Sequence, residues 1–154
     1  MRPVFVTEQH IAVTLDHLQR AGQRGTECVV LWLGQEGAQG LEVAEVYRPD
    51  QYAEADVFRI PPTSMASLLN VLSSNGLMIA AQVHSHPLEA FHSKADDAWA
   101  IVRHLGALSL VLPHFALKTR PASFFTDVKV FQLTAANRWR GLHDIEVRQW
   151  VRLR

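Results

Sequence analysis

Cysteine is nearly absent: Cys28 is the single one in 154 residues. That excludes an internal disulfide framework and fits a reducing, cytoplasmic setting. An excess of charge of one sign is missing too. Fifteen Lys+Arg stand against fifteen Asp+Glu, and the pI is about 7.1. Such a chain has no electrostatic footprint for nonspecific nucleic-acid binding. No apolar run is long enough to span a bilayer. The opening Met1-Arg2-Pro3 leads into no apolar stretch with a small-residue cleavage site, so no secretory signal is expected. There is no internal repeat, no low-complexity stretch and no block of like charge. At 48 % hydrophobic and 19 % charged residues, the composition is too apolar for disorder. The length predicts a single domain over residues 1–154 with one core.

What is present is a pattern of mixed elements. A helix is expected over Glu8–Ala21, with Ile11, Leu15 and Leu18 on one face, Thr7 as cap and Gly22 as stop. The apolar run Glu27–Leu33 reads as a buried strand, and Leu41–Tyr47 as the return strand of a hairpin. Arg48–Ile60 reads as a loop or irregular hairpin. A second helix follows Pro61-Pro62, with Met65, Leu68, Leu69 and Leu72 as its stripe and Gly76 as its stop. Leu77–His84 is a second buried strand. Ser93–Leu105 reads as a helix with Trp99, Ile101, Val102 and Leu105 inward. Leu108–Leu112 is a strand and Pro113–Thr126 a long loop, whose Phe115, Phe124 and Phe125 are candidates for a contact or dimer surface. Val128–Leu133 and Ile145–Leu153 read as antiparallel strands. Together these predict an α/β (α+β) domain in which helices flank a mixed, mostly antiparallel sheet.

Eight histidines are the unusual abundance, and two of them carry chemistry. In His84-Ser-His86-Pro87, residues i and i+2 of an extended chain point to one side. Both imidazoles can then reach one metal, and Pro87 ends the strand. Ser93 and Asp96 share a face at the start of the next helix. Two neutral imidazoles and a carboxylate form a hydrolytic zinc ligand set that leaves one position open. Such a site also needs a group that takes a proton from water and delivers it to the leaving group. Glu27 stands at the entrance of an apolar strand, where a charge is costly without a partner. Glu36, Glu42 and Glu45 are the rivals for that role.

Glu27, His84-x-His86-Pro87 and Ser93-x-x-Asp96 together resemble the motif of the JAMM (JAB, MPN+) metalloprotease family. The order of elements from about residue 8 to 112 resembles that family as well. The stretch His84–Asp97 is similar to a bacterial branch found beside ubiquitin-like and E1/E2-like proteins in antiviral defence operons. Two departures stand out: the spacer from Pro87 to Ser93 is one residue shorter than in many members, and Val30 stands where many carry Gly.

The resemblance implies a cytidine-deaminase-like MPN/JAB fold and one Zn2+ per chain, held by His84, His86 and Asp96. It implies a zinc-dependent isopeptidase or peptidase that cleaves after the C-terminal glycine of a ubiquitin-like protein or its conjugate. Glu27 would be the base. Ser93 would offer its hydroxyl to the oxyanion, a contact worth roughly 3–4 kcal/mol of barrier; an N-cap role uses the same oxygen. Substrate contacts are expected from the loop before the second helix, at Val57, Phe58 and Ile60, which could instead cover the core. E1/E2-like enzymes are further partners; nucleic acid and membrane are not. Three other readings stay open: processing of a sulfur-carrier precursor, a noncatalytic MPN-like scaffold, and a zinc hydrolase of small amides. Cys28 should face away from Glu27 as a small buried hydrophobe. His92 is either a loop histidine or a substrate contact, and Asp97 a first-turn acid. The remaining histidines have no ligand spacing, and the tryptophans read as core or sheet cover.

Overall fold

Alternation along one strand organises the molecule. The structure is a computed structural model that describes residues 2–154, except for the side chains of Ala95, Ala98 and Trp99. The inward placement expected of Trp99 lies outside the described residues. Strand β2 (Val29–Glu36) is the pivot. Its Val30 and Trp32 belong to one apolar cluster with Ile11, Leu15 and Leu18 of helix α1 (Glu8–Gln23). Its Leu31 and Leu33 belong to a second cluster with Leu68 of helix α2 (Pro62–Asn75). The period of two thus feeds both layers, so the strand reads as a continuous apolar run.

Around β2, the described residues build one eight-stranded mixed sheet and one small hairpin. Strands β3 (Leu41–Tyr47) and β6 (Met78–Ser85) flank β2, both antiparallel to it. On the far side of β6, β7 (Leu108–Leu112) runs parallel to it, followed by β8 (Lys129–Leu133) and β9 (Trp139–Gly141), both antiparallel. Beyond β3 lie β1 (Val4–Val6) and β10 (Val151–Leu153), both joined in parallel. The hairpin of β4 (Tyr52–Ala53) and β5 (Phe58–Arg59) forms a sheet of its own. The connection from β6 to β7 carries helix α3 (Lys94–Trp99). Two short helices, α4 (Phe124–Asp127) and α5 (Asp144–Trp150), complete the chain.

Several expectations are corrected. The helix expected over Ser93–Leu105 stops at Trp99. Ala100 turns extended (ψ 129°), and the N–H of Ile101 donates to the buried Gln82 Oε1 (2.9 Å) rather than continuing the helix. Ile101 and Val102 still pack inward, but Leu105 is 59 % exposed. The strand expected over Ile145–Leu153 is α5 followed by the short β10. Glu146 bonds back to the N–H of His143 and starts the helix, and Ile145 is 75 % exposed. Leu69 points to solvent, so the stripe of α2 is narrower than expected. Phe124 is fully buried beside Trp32 and belongs to the core rather than to a contact surface. Strand β1 was not legible; three residues are too few to show alternation.

A strained turn follows β7, where His114, Phe115 and Ala116 all have positive φ (54°, 54°, 59°). Left-handed backbone costs a non-glycine residue roughly 1–2 kcal/mol. The turn is held by Gln19, whose amide donates to the carbonyls of Ala116 and Thr119. It also lies against Gly22, where a Cβ would stand 2.5 Å from that of Phe115.

Candidate metal centre

The register of the two central strands brings the upstream glutamate to the histidines. Val29 pairs with His84 in the antiparallel β2–β6 ladder. One step outward, the Ser85 N–H donates to the Cys28 carbonyl and the Ser85 hydroxyl accepts the Cys28 N–H. The next step sets Glu27 across from His86. Its Oε1 lies 3.9 Å from His86 Nε2. The segment is tied down beyond the end of β3 by two contacts that the sequence did not signal. The Gln51 amide pairs with both backbone groups of Val29, and the Glu27 N–H donates to the Glu54 carbonyl (2.8 Å). Cys28 turns into the core, and burial pushes its thiol up, which leaves it inert.

His84 lies next to the last residue of β6 and His86 follows the strand, so the spacing of two directs both rings to one side. The backbone of His86 is clamped. Its N–H donates to the Leu112 carbonyl, and its carbonyl accepts the N–H of Phe115 from the left-handed turn (2.6 Å). The chain then crosses over, and Asp96 enters from the first turn of α3. A capping box sets it: Ser93 Oγ accepts the Asp96 N–H (3.0 Å), and Asp96 Oδ2 accepts the Ser93 N–H (2.7 Å). Sites at the carboxyl end of parallel strands, beside the start of the crossover, are what this topology favours.

Asp96 Oδ2 lies 2.9 Å from His86 Nε2 and 3.3 Å from His84 Nε2. The ligand atoms of all three residues lie within 4.8 Å of one another, and this is the one such cluster among the described residues. All three are buried, as is Glu27, each at 3 % exposure or less. Among the described residues, both ring nitrogens of His84 and the Oε2 of Glu27 are buried without a hydrogen bond. Orphaned buried donors and acceptors of this kind cost roughly 1–3 kcal/mol each. A divalent cation would satisfy them. Ligands about 2.0–2.2 Å from one ion stand about 3.4 Å apart, close to the spacings found. The residues therefore fit a metal ion.

The electrostatics divide the two carboxylates. Burial works to raise Asp96, but the close imidazoles of His84 and His86, with the Ser93 N–H, outweigh it and hold the group far below the usual range. Glu27 has no such support. Burial first, then the charges of Asp96 and Asp56, push it up to about 8. One carboxylate is thus a permanent anion and the other a proton carrier near neutral pH, the division that acid–base chemistry uses. The rival acids lie elsewhere. Glu36 sits at the opposite end of β2, Glu42 pairs with Arg154 beside it, and Glu45 is exposed.

The other expected residues fall into place unevenly. Phe58 is buried, with its ring 5.4 Å from that of His84. It covers the site rather than lining an open channel. Val57 and Ile60, with Tyr52 and Pro61, line an open cleft on the same hairpin. On the other side, the Phe91 ring meets His86 edge-on at 4.5 Å. His92 is neither an idle loop residue nor an open substrate contact: its side chain is 3 % exposed and both ring nitrogens are engaged, by Asp97 and Ser109. Burial lowers its pKa, against the pull of Asp97. Gln82 and Ser109, fully buried on neighbouring strands, were also missed. A glutamine inside the apolar run of β6 was the available signal.

Comparison with known proteins agrees with this geometry. The family of prokaryotic homologs of the JAB domain matches residues 7–124. A probable metalloprotease, y4jG of Sinorhizobium fredii (strain NBRC 101917 / NGR234), is 36 % identical over 143 residues, covering 90 % of this chain and 86 % of its own. The solution structure of protein DSY2949 from Desulfitobacterium hafniense superposes with a TM-score of 0.68 at 16 % identity, over 98 % of this chain and 92 % of that one. The solution structure of a Salinibacter ruber protein gives 0.56 at 13 % identity, over 93 % and 89 %. At such identities the two solved structures speak for the fold alone.

Proposed function

The chain belongs to the prokaryotic JAB-domain family, and from that premise we propose that it is a zinc-dependent peptidase that cuts after the C-terminal glycine of a ubiquitin-like protein. One observation carries the reading: the buried His84, His86 and Asp96 converge on a point beside the buried carboxyl of Glu27. His84, His86 and Asp96 would hold the ion. When bound, it supplies Lewis-acid chemistry, polarising the scissile carbonyl and acidifying water. Glu27 takes the proton of the attacking water and passes it to the departing amine. Ser93 Oγ accepts the Asp96 N–H as a cap, which leaves its own O–H free to donate to the oxyanion.

Two features support a glycine-ended, extended substrate. Glu27, His84, His86 and Asp96 are buried, with Phe58 packed on His84 and Phe91 on His86, and glycine alone brings a carbonyl close to such groups without a side chain. The β4–β5 hairpin forms a small sheet of its own beside the cleft, a place where an extended tail can add as a strand. An isopeptide conjugate, E1/E2-like partners and a place in antiviral defence rest on the family resemblance of residues 84–97, and a cytoplasmic setting on the lone cysteine, Cys28. No helix of the described residues is long and apolar enough to cross a membrane.

The test is a fusion of a ubiquitin-like protein to a short C-terminal extension, with the cut located by mass spectrometry. Cleavage after the terminal glycine, lost when that glycine becomes alanine, is the expected result. Cleavage of small acyl amides with no cut in any fusion would move the reading to an amidase. Within the same assay, Ile60→Asp is expected to raise KM severalfold with an unchanged Tm. Phe58→Asp instead buries a charge against His84 and should cost several degrees of Tm. Equal effects of the two on Tm would remove the cleft as the tail's path.

A further inference from the structure

Resting on that reading of the metal centre, we propose that Gln82, Ser109, His92 and Asp97 form a positioning chain that sets the start of α3, and with it Asp96, against the histidines. The capping box fixes Ser93 and Asp96 relative to each other but not relative to the sheet. A helix of six residues has little stability of its own and needs a tertiary anchor. The anchor is a run of hydrogen bonds. Gln82 and Ser109 face each other in register on the parallel strands β6 and β7, both fully buried. Gln82 Nε2 donates to Ser109 Oγ at 2.9 Å. Ser109 Oγ lies 3.1 Å from His92 Nε2, and His92 Nδ1 lies 2.6 Å from Asp97 Oδ1.

Donor counting gives the run a direction. The Asp97 carboxylate can only accept, so the His92 ring carries its proton on Nδ1 and donates it there. Burial disfavours a second proton on the ring, so Nε2 accepts the hydroxyl proton of Ser109, whose oxygen accepts from Gln82. At the other end, Gln82 Oε1 accepts the Ile101 N–H where the helix has ended. The chain therefore grips the crossover at residues 92, 97 and 101, on both sides of Asp96. Gln82 also lies two residues before His84 on β6, so both face the same side. One strand thus presents a ligand and, beside it, the foothold of the segment that brings another. His92 is wedged in place by Phe131 and Trp139, with ring centroids at 5.3 and 4.8 Å.

The experiment titrates the metal-free protein with Zn2+ and with Co2+, reading the visible Co2+ spectrum and Tm alongside affinity. Ser109→Ala removes the central hydroxyl and is expected to weaken both metals about 10–100-fold and to alter the Co2+ spectrum. Thr14→Ala is the control. Its buried hydroxyl accepts the Trp32 Nε1–H at 2.9 Å, away from the centre. That variant should lose comparable Tm yet keep metal affinity within about twofold. Equal loss of affinity in both variants, or none in Ser109→Ala, overturns the proposal. Should Ser109→Ala not fold, Asp97→Asn at the half-exposed end of the chain replaces it, beside Asp56→Asn as a charge control. Asp97→Asn must then weaken the metal severalfold more than Asp56→Asn, and parity between them overturns the proposal. A wild-type protein that takes up neither metal would overturn the metal centre itself, a different failure from wild-type binding matched by Ser109→Ala.

Discussion

Replacing Glu27 by glutamine is expected to lower kcat about 10²–10⁴-fold while fold and metal uptake persist. The amide keeps the volume of the side chain and cannot exchange a proton. Glu27 is the one buried carboxyl beside the three ligands that is pushed up rather than held down, and its Oε2 has no partner inside the protein. It lies opposite His86 in the strand register and touches none of the ligands within hydrogen-bonding distance. Metal affinity should therefore change little. Steady-state rates on a glycine-ended fusion, beside metal content, check this directly. Near-wild-type turnover in the variant would remove Glu27 as the base and leave the ligand set standing.

Stripping the metal is expected to lower Tm by roughly 10 °C. An ion present at a thousand times its Kd contributes about 4 kcal/mol, and a chain of this length shifts by a few degrees per kcal/mol. Without the ion, stability should also fall as pH rises. The folded pKa of Glu27, about 8, lies above its ordinary 4.5. Such a carboxyl leaves the folded state unpenalised below about pH 4.5. It then removes stability across the window up to about pH 8, by at most about 1.4 kcal/mol per pH unit. Asp96 is displaced in the other direction, and its stabilising effect is lost only as pH falls below the usual carboxylate range. Other groups titrate in the same window, so the informative quantity is the difference from Glu27→Gln. Chelated wild-type protein should lose stability relative to that variant between pH 5 and 8, and saturating Zn2+ should abolish the difference. Parallel curves for the two chelated proteins would show that Glu27 is not held up by its surroundings.

The His84–His86–Asp96 cluster was legible because spacing on an extended strand and on a helix start translates directly into direction. His84, His86 and Asp96 meet as their intervals of two and ten, broken by Pro87, imply. Glu27 was legible as a charge at the mouth of an apolar run, although what holds it there, Gln51 and Glu54, comes from a segment with no periodicity. Most of the failures share a cause: local pattern was outvoted by a distant partner, or, at residues 145–153, by a local cap. The apolar rhythm of residues 101–105 continues past Trp99, but the buried Gln82 captures the chain and ends the helix. The alternation of residues 145–153 imitates a strand, but Glu146 closes a capping turn and the helix wins. Phe58 sits in a polar loop and yet is buried, because its partner is the buried imidazole of His84 from another strand. His92 could not be placed from spacing at all, since both of its partners lie outside the motif's arithmetic.

The metal centre is tested most directly by elemental analysis of protein purified without chelator, beside Asp96→Ala. About one zinc per chain is expected in the wild type and a loss of most of it in the variant, because the removed carboxylate joins both histidines at the centre. A folded wild-type protein that holds no metal, and takes up none on titration with Zn2+, would contradict a metal-dependent site.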